Sequence, residues 1–275
     1  MGSIFIQGLK IFILNIDEHG NGTEHGSGSI KEYVMHHVKD QVIYPLHIGN
    51  FDISITKHVL MLWIAAAILI IFIPLAFRSK SLIPKGPANL IEAIVVYLKE
   101  TIIDPNLGSE AFKYAPYLLT AFFFIITCNL LGLIPMGSTA TGNISVTVSL
   151  ALSTLFLVQF SNILQNGFKG YIKSFVPPGI PSLMVPLIFI VEVLGMLTKH
   201  VALAIRLFAN MFAGHLVIFT IMGLIFLFKN IFISPFPILG IVFVSMLELL
   251  IAFIQAYIFT ILSAVFIGMG LSSQH

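Results

Sequence analysis

Among the polar side chains that interrupt the most apolar part of this chain are Glu192, Arg206, Asn210, His215, Glu248 and Gln255. Arg206 is the most demanding of them. It opens the stretch RLFANMFAGH, residues 206–215, inside more than 40 residues that contain no proline and are almost entirely apolar. An arginine at the centre of a membrane helix costs about 2.5–3.5 kcal/mol on insertion scales. It cannot shed its proton, because its pKa exceeds about 12. Snorkelling suits an arginine near a helix end, whereas Arg206 lies about 20 residues from either end of its apolar segment. A cation held at that cost is a functional residue by default.

The spacing assigns faces. At about 100° per residue, Glu192, Arg206 and Asn210 fall within one face of a helix, with Lys199 among them. His215, nine residues beyond Arg206, falls about 180° round. If the last two apolar segments form a hairpin centred near residue 233, reflection carries His215 to residue 251, beside Glu248. The same operation carries Arg206 to residue 260, about one turn from Gln255. Three levels follow: His215 with Glu248 in the outer half, Arg206 with Gln255 in the middle, and Glu192 in the inner half. Histidine, near pKa 6.5 when unperturbed, and a partly buried glutamate exchange protons at neutral pH. Arg206 relays none and repels a cation. The pattern predicts two proton paths that approach the mid-membrane from opposite sides without joining. Arg206 needs an anion in low dielectric, and neither Glu192 nor Glu248 is well placed to supply it. A carboxylate on a partner subunit fits, since pairing with the arginine favours its ionised form.

The composition sets the elements that must hold these groups. The chain has 275 residues, of which 57% are hydrophobic and 9% charged, with a net charge of +2. Soluble domains carry about 25% charged residues, so this is a membrane protein, and its charge gives no reason to expect nucleic acid. After Tyr114 only Lys169, Lys173, Glu192, Lys199, Arg206, Lys229 and Glu248 are charged. Apolar runs of about 20 residues span the hydrocarbon core. They predict spans at Val59–Phe77, Ala115–Pro135 and Ile144–Leu164, then long segments at Pro186–Phe228 and Pro237–Gly270. The last two make helices of about 64 and 50 Å against a core of about 30 Å, so the fourth either breaks near Gly195 or lies steeply slanted. Pro87–Glu100 reads as an amphipathic surface helix. The expected fold is all-α and polytopic, with five membrane helices and a strongly tilted C-terminal hairpin, in a membrane domain at 57–275.

Residues 1–56 read as an extramembrane segment. Ile4–Leu14 is expected to form a short interfacial helix, and Gly20–Ser29 a loop. Its histidines, His19, His25, His36, His37 and His47, read as solvated rather than as a metal site. No cleavable signal sequence is evident. Arg78, Lys80, Lys85, Lys99 and Lys113 separate the first two spans, and 136–143 has no Lys or Arg. The positive-inside rule then puts loops 78–114 and 166–185 and the C-terminus in the cytoplasm, and the N-terminus outside. Cys128 and Asn129 read as packing residues, and Lys199 and His200 as side chains that snorkel inward.

Several stretches resemble the a subunit of F-type ATP synthases. They are RLFANMFAGH, IAFIQAYIFTILSAVFIG from Ile251, NLLGLIP at 129–135, NISVTVSLAL at 143–152 and IPKGPANLIEAI at 83–94. The resemblance covers the chain from about His36 onward. It implies a non-catalytic, proton-translocating stator subunit of a bacterial inner membrane. Such a subunit carries two offset half-channels beside a ring of c subunits, is joined by b subunits and lipid, and needs no cofactor. The transported ion is H⁺ or Na⁺. By position Arg206 is the family's essential arginine, and Asn210, Gln255 and Glu192 match its polar positions. Many relatives carry an acidic residue where this chain has His215 and a histidine where it has Glu248, so the pair is exchanged here. A self-contained ion-coupled transporter, the alternative, predicts inverted repeats, and none is visible. An intramembrane metal hydrolase needs a ligand cluster such as H-E-x-x-H, absent from the spans, and there is no G-x-x-x-x-G-K-[ST] nucleotide loop.

Overall fold

The computed structural model describes residues 42–44, 47–48, 51–52, 54–77, 86–134, 139–175, 181, 183–228 and 235–272. The interfacial helix expected at Ile4–Leu14, the Gly20–Ser29 loop, the four histidines before residue 42, and Arg78, Lys80, Lys85 and Lys229 lie outside the described residues. Ahead of the membrane domain, β1 (Val42–Tyr44) pairs antiparallel with β4 (Ile55–Thr56), and β2 (His47–Ile48) with β3 (Phe51–Asp52). The sequence reading did not anticipate this nested hairpin. Its strands are only two or three residues long, too short for an alternating pattern to register.

Helix α1 (Lys57–Ala76) follows β4 directly. It is apolar all round, as a lipid-facing helix is, and among its residues only His58 and Ala65 are buried. Helix α2 (Pro87–Leu98) starts with proline in its first turn, after Gly86 at φ 67°, a backbone angle that favours glycine. Ala88, Ile91 and Leu98 form its buried stripe, while Glu92 is exposed. The chain then continues through a π-helical turn (Lys99–Ile103), the short helix α3 (Asp104–Leu107) and a 3₁₀ turn (Gly108–Glu110) into α4 (Ala111–Gly132). The amphipathic helix is thus joined to the second span by helical turns rather than by an open loop. Gly108, at φ 53°, allows the bend.

A 3₁₀ turn at Ala140–Gly142 leads into α5 (Ile144–Ser174). Asn143 caps this helix, its Oδ1 accepting from the Ser145 amide at 2.9 Å, and Gly167 at φ 65° kinks it beyond the expected end of the third span. The two long C-terminal helices are α6 (Val185–Phe228, 44 residues) and α7 (Pro235–Ser272, 38 residues). Helix α6 is continuous through Gly195, so its length of about 66 Å, roughly twice a 30 Å core, is not relieved by a break. Five stretches of the described chain are long and apolar enough to cross a membrane.

Helix α7 sits at the centre, packed against α4, α5 and α6. Ala252, Ala256, Thr260, Ala264 and Gly268 recur every fourth residue along it, and the first four are fully buried. Small residues in one stripe let helix backbones approach closely where apolar burial gives no drive. At its end, a side chain at Gly268 would overlap the Asn106 carbonyl oxygen of α3. Leu118 and Ile125 of α4, Ile102 and Ile103 of the π turn, and Leu203 and Leu207 of α6 join Phe259 in the main core.

Candidate functional site

The expected hairpin register brings His215 to Glu248, and the structure places them in contact: Nδ1 of His215 lies 3.3 Å from Oε1 of Glu248. Glu248 is 3% exposed. The carboxylate fits because residue 214 is glycine; a Cβ there would overlap Oε1. His215 Nδ1 also stands 3.0 Å from the Met211 carbonyl one turn back. Its Nε2 stands 3.1 Å from the carbonyl of Gly132, at the end of α4, and 2.9 Å from the hydroxyl of Thr139. A ring protonated on both nitrogens donates to a carbonyl from each. When Nε2 is bare, the Thr139 hydroxyl turns and donates to it, since a hydroxyl both gives and accepts. The site therefore offers partners to His215 in either protonation state, as a group that passes protons requires.

Two further residues complete this cluster. Thr139 is buried at 4% exposure, and Gly132 admits it because any side chain at 132 would overlap its Oγ1. The ring of His58, in the first turn of α1, donates from Nδ1 to the Thr139 carbonyl at 3.1 Å. Beside them, buried Asn129 accepts from the Thr141 hydroxyl through Oδ1 at 2.7 Å, which ties α4 to the turn that carries Thr139.

One level inward, Asn210 Nδ2 donates to Gln255 Oε1 at 2.8 Å. Gln255 is fully buried, and its own Nε2 has no hydrogen-bond partner among the described residues. Reflection about residue 233 carries Asn210 to within one residue of Gln255 and His215 to within three of Glu248, less than one helical turn. Arg206, one turn inward of Asn210, is exposed. Among the described residues it makes no ion pair or hydrogen bond. Its neighbours Leu203 and Leu207 point to the core, so the guanidinium lies on the open side of α6, away from His215. Glu192 and Lys199, on the same face, are also exposed. His200 departs from the expected snorkelling. It is buried against Phe266, with ring centroids 5.0 Å apart, and its Nδ1 donates to the Met196 carbonyl at 2.9 Å.

The structure thus brings together His215 with Glu248 and Asn210 with Gln255, and keeps Arg206 and Glu192 on an open face. Sequence reasoning missed His58, Thr139, Gly132 and Gly214. The one signal for His58 was a titratable residue in the first turn of a span that is otherwise uncharged to its end. For Gly214 it was a glycine inside a long helix, beside the histidine.

Comparison with known proteins bears on the chain as a whole. A family model described as "ATP synthase A chain" matches residues 59–268. The chain is 45% identical over 234 residues to ATP synthase subunit a of Chloroherpeton thalassium, covering 83% of this chain and 70% of that protein. It is 42% identical over 278 residues to the subunit a of Chlorobium phaeobacteroides, covering 94% and 79%. To that of an Anaeromyxobacter species it is 46% identical over 251 residues, covering 90% and 61%. The match spans every helix that builds the site, from α1 to α7, and with the all-helical membrane architecture it shows that this chain belongs to the ATP synthase A chain family, the a subunits of F-type ATP synthases.

Proposed function

We propose that this chain is the proton-translocating stator subunit of a rotary ATP synthase and provides two offset half-channels to a ring of c subunits. The observation that carries the reading is Arg206: a permanent cation, midway along a membrane helix, on an open face and without a partner among the described residues. A ring carboxylate passing that face supplies the missing anion. Protons come from outside through His215 and Glu248 and load the ring carboxylate near Asn210 and Gln255. The carboxylate travels through lipid and returns to Arg206, whose charge favours its ionised form. The released proton leaves on the inner side past Glu192. The two paths do not short-circuit, because Arg206 cannot take up or pass on a proton. Each proton crossing 100 mV contributes about 2.3 kcal/mol.

The chain itself performs no chemistry on ATP. It works with the ring and the b subunits in a bacterial inner membrane, with residues 1–56 preceding the membrane domain, the N-terminus outside and the C-terminus in the cytoplasm. The test is ATP-driven proton pumping in inverted vesicles carrying Arg206→Ala, with assembly followed by co-purification of the ring. Pumping is lost and assembly kept if the arginine separates the half-channels. Pumping at the native rate would refute the reading.

A further inference from the structure

Helix α1 buries only two side chains, and one of them is a histidine. Most of the helix faces outward: Trp63, Ile70, Ile71 and Leu75 are all more than half exposed. A lipid-facing helix has little reason to bury a titratable ring at its outer end unless the ring is bonded there. His58 is 7% exposed, and its bond goes to the carbonyl of Thr139. The hydroxyl of that same residue meets Nε2 of His215. One residue therefore stands between the two histidines, held by its backbone on one side and offering its side chain on the other.

We propose that His58 is a positioning residue for the outer proton path. Through the Thr139 carbonyl it fixes the hydroxyl that serves His215, and it thereby makes the first membrane helix part of the inlet. A carbonyl oxygen does not hand on a proton, so His58 acts by orientation and not as a relay station. The Thr139 hydroxyl needs that support. Gly132 leaves it space on one side; the Gly142 amide, donating to the Thr139 carbonyl at 2.9 Å, closes the turn on itself without tying it to a helix, and the bond from Thr141 to Asn129 ties it to α4 two residues away. Without His58 the turn can rotate Thr139 away from Nε2, and neutral His215 then lacks a donor on that nitrogen.

The inference rests on the relay reading of His215 and Glu248, and the experiment separates the two. ATP-driven pumping is measured in inverted vesicles at a series of lumen pH values, since the lumen corresponds to the outside. Assembly is followed by co-purification of the ring. The titratable group facing His215 directly is Glu248 from α7. The end of α4 and the 139–142 turn bring only carbonyls and hydroxyls, and Arg206 lies on the other side of α6. His58→Ala is expected to slow pumping about fivefold, the factor of one lost hydrogen bond, and to move the midpoint of the lumen-pH profile. His58→Asn keeps an N–H donor and restores both. Thr139→Val leaves the carbonyl and removes the hydroxyl. It reproduces the shifted profile, and combining it with His58→Ala adds nothing.

An unmoved midpoint in His58→Ala, whether at the native rate or with pumping reduced only in proportion to assembled complex, overturns the proposal and makes His58 a structural anchor. If His58→Ala prevents assembly, Thr139→Val and His58→Asn decide: a native profile in the first, or a shifted one in the second, overturns it. Glu248→Gln is the control for the underlying reading. If it too pumps at the native rate, the relay itself is wrong.

Discussion

Replacing Gly214 with alanine tests the outer site without touching a polar group. A methyl group at 214 would overlap Oε1 of Glu248 and lie 2.9 Å from its Cδ and Cγ. Contacts between carbon and other heavy atoms settle near 3.5–4.0 Å, so the carboxylate must withdraw on the order of 1 Å. Withdrawal lengthens the ion pair between His215 Nδ1 and Oε1 from 3.3 Å to roughly 4.3 Å. At an effective dielectric of about 20 that lengthening weakens the attraction between the charged pair by about 1 kcal/mol, which corresponds to roughly fivefold in a rate that depends on it. The backbone has no cause to move, because the obstacle is a side chain and alanine favours the helix by about 1 kcal/mol over glycine. Gly195→Ala on the same helix is the control, since nothing lies within 4 Å of a Cβ there. Proton pumping in inverted vesicles, normalised to assembled complex, is expected to fall about fivefold in Gly214→Ala and to stay native in Gly195→Ala. Adding Glu248→Asp, one methylene shorter, should recover part of the loss. Equal rates in the two glycine variants would refute the claim that this carboxylate works from its place beside residue 214.

Exchanging the outer pair, His215→Glu with Glu248→His, keeps one acid and one imidazole in contact and should pump better than either single change; a double variant worse than both would rule out coupling by direct pairing. Gly268→Ala drives a methyl group into the Asn106 backbone carbonyl, which cannot turn aside as a side chain can. Overpacking of this kind costs about 1–3 kcal/mol, so the purified complex should lose the subunit at lower temperature than with Gly142→Ala, where the nearest atom is 3.8 Å away.

Much of this arrangement is a local property of the chain. Hydropathy and length locate the five spans to within a few residues, because a 30 Å hydrocarbon core imposes one requirement on every spanning helix. The cost of Arg206 marks it at once, and its separation from His215 follows from 3.6 residues per turn. The meeting of His215 with Glu248 was legible to within one turn, since only a few residues separate the two long apolar segments, and reflection about residue 233 carries His215 to residue 251. What the sequence left open is the cluster around that pair. Gly132, Thr139 and His58 reach the site across 76 to 83 residues of chain, and no periodicity carries that information. Helix α1 is the clearest case. It is apolar on every side, and lipid is as apolar as a protein core, so its composition does not say which side meets the other helices. Only packing decided that. The small-residue stripe of α7 draws the helices together, and glycines at 132 and 214 leave room where two polar side chains meet backbone. The one buried polar residue in the first turn of α1, His58, thereby comes to rest against Thr139.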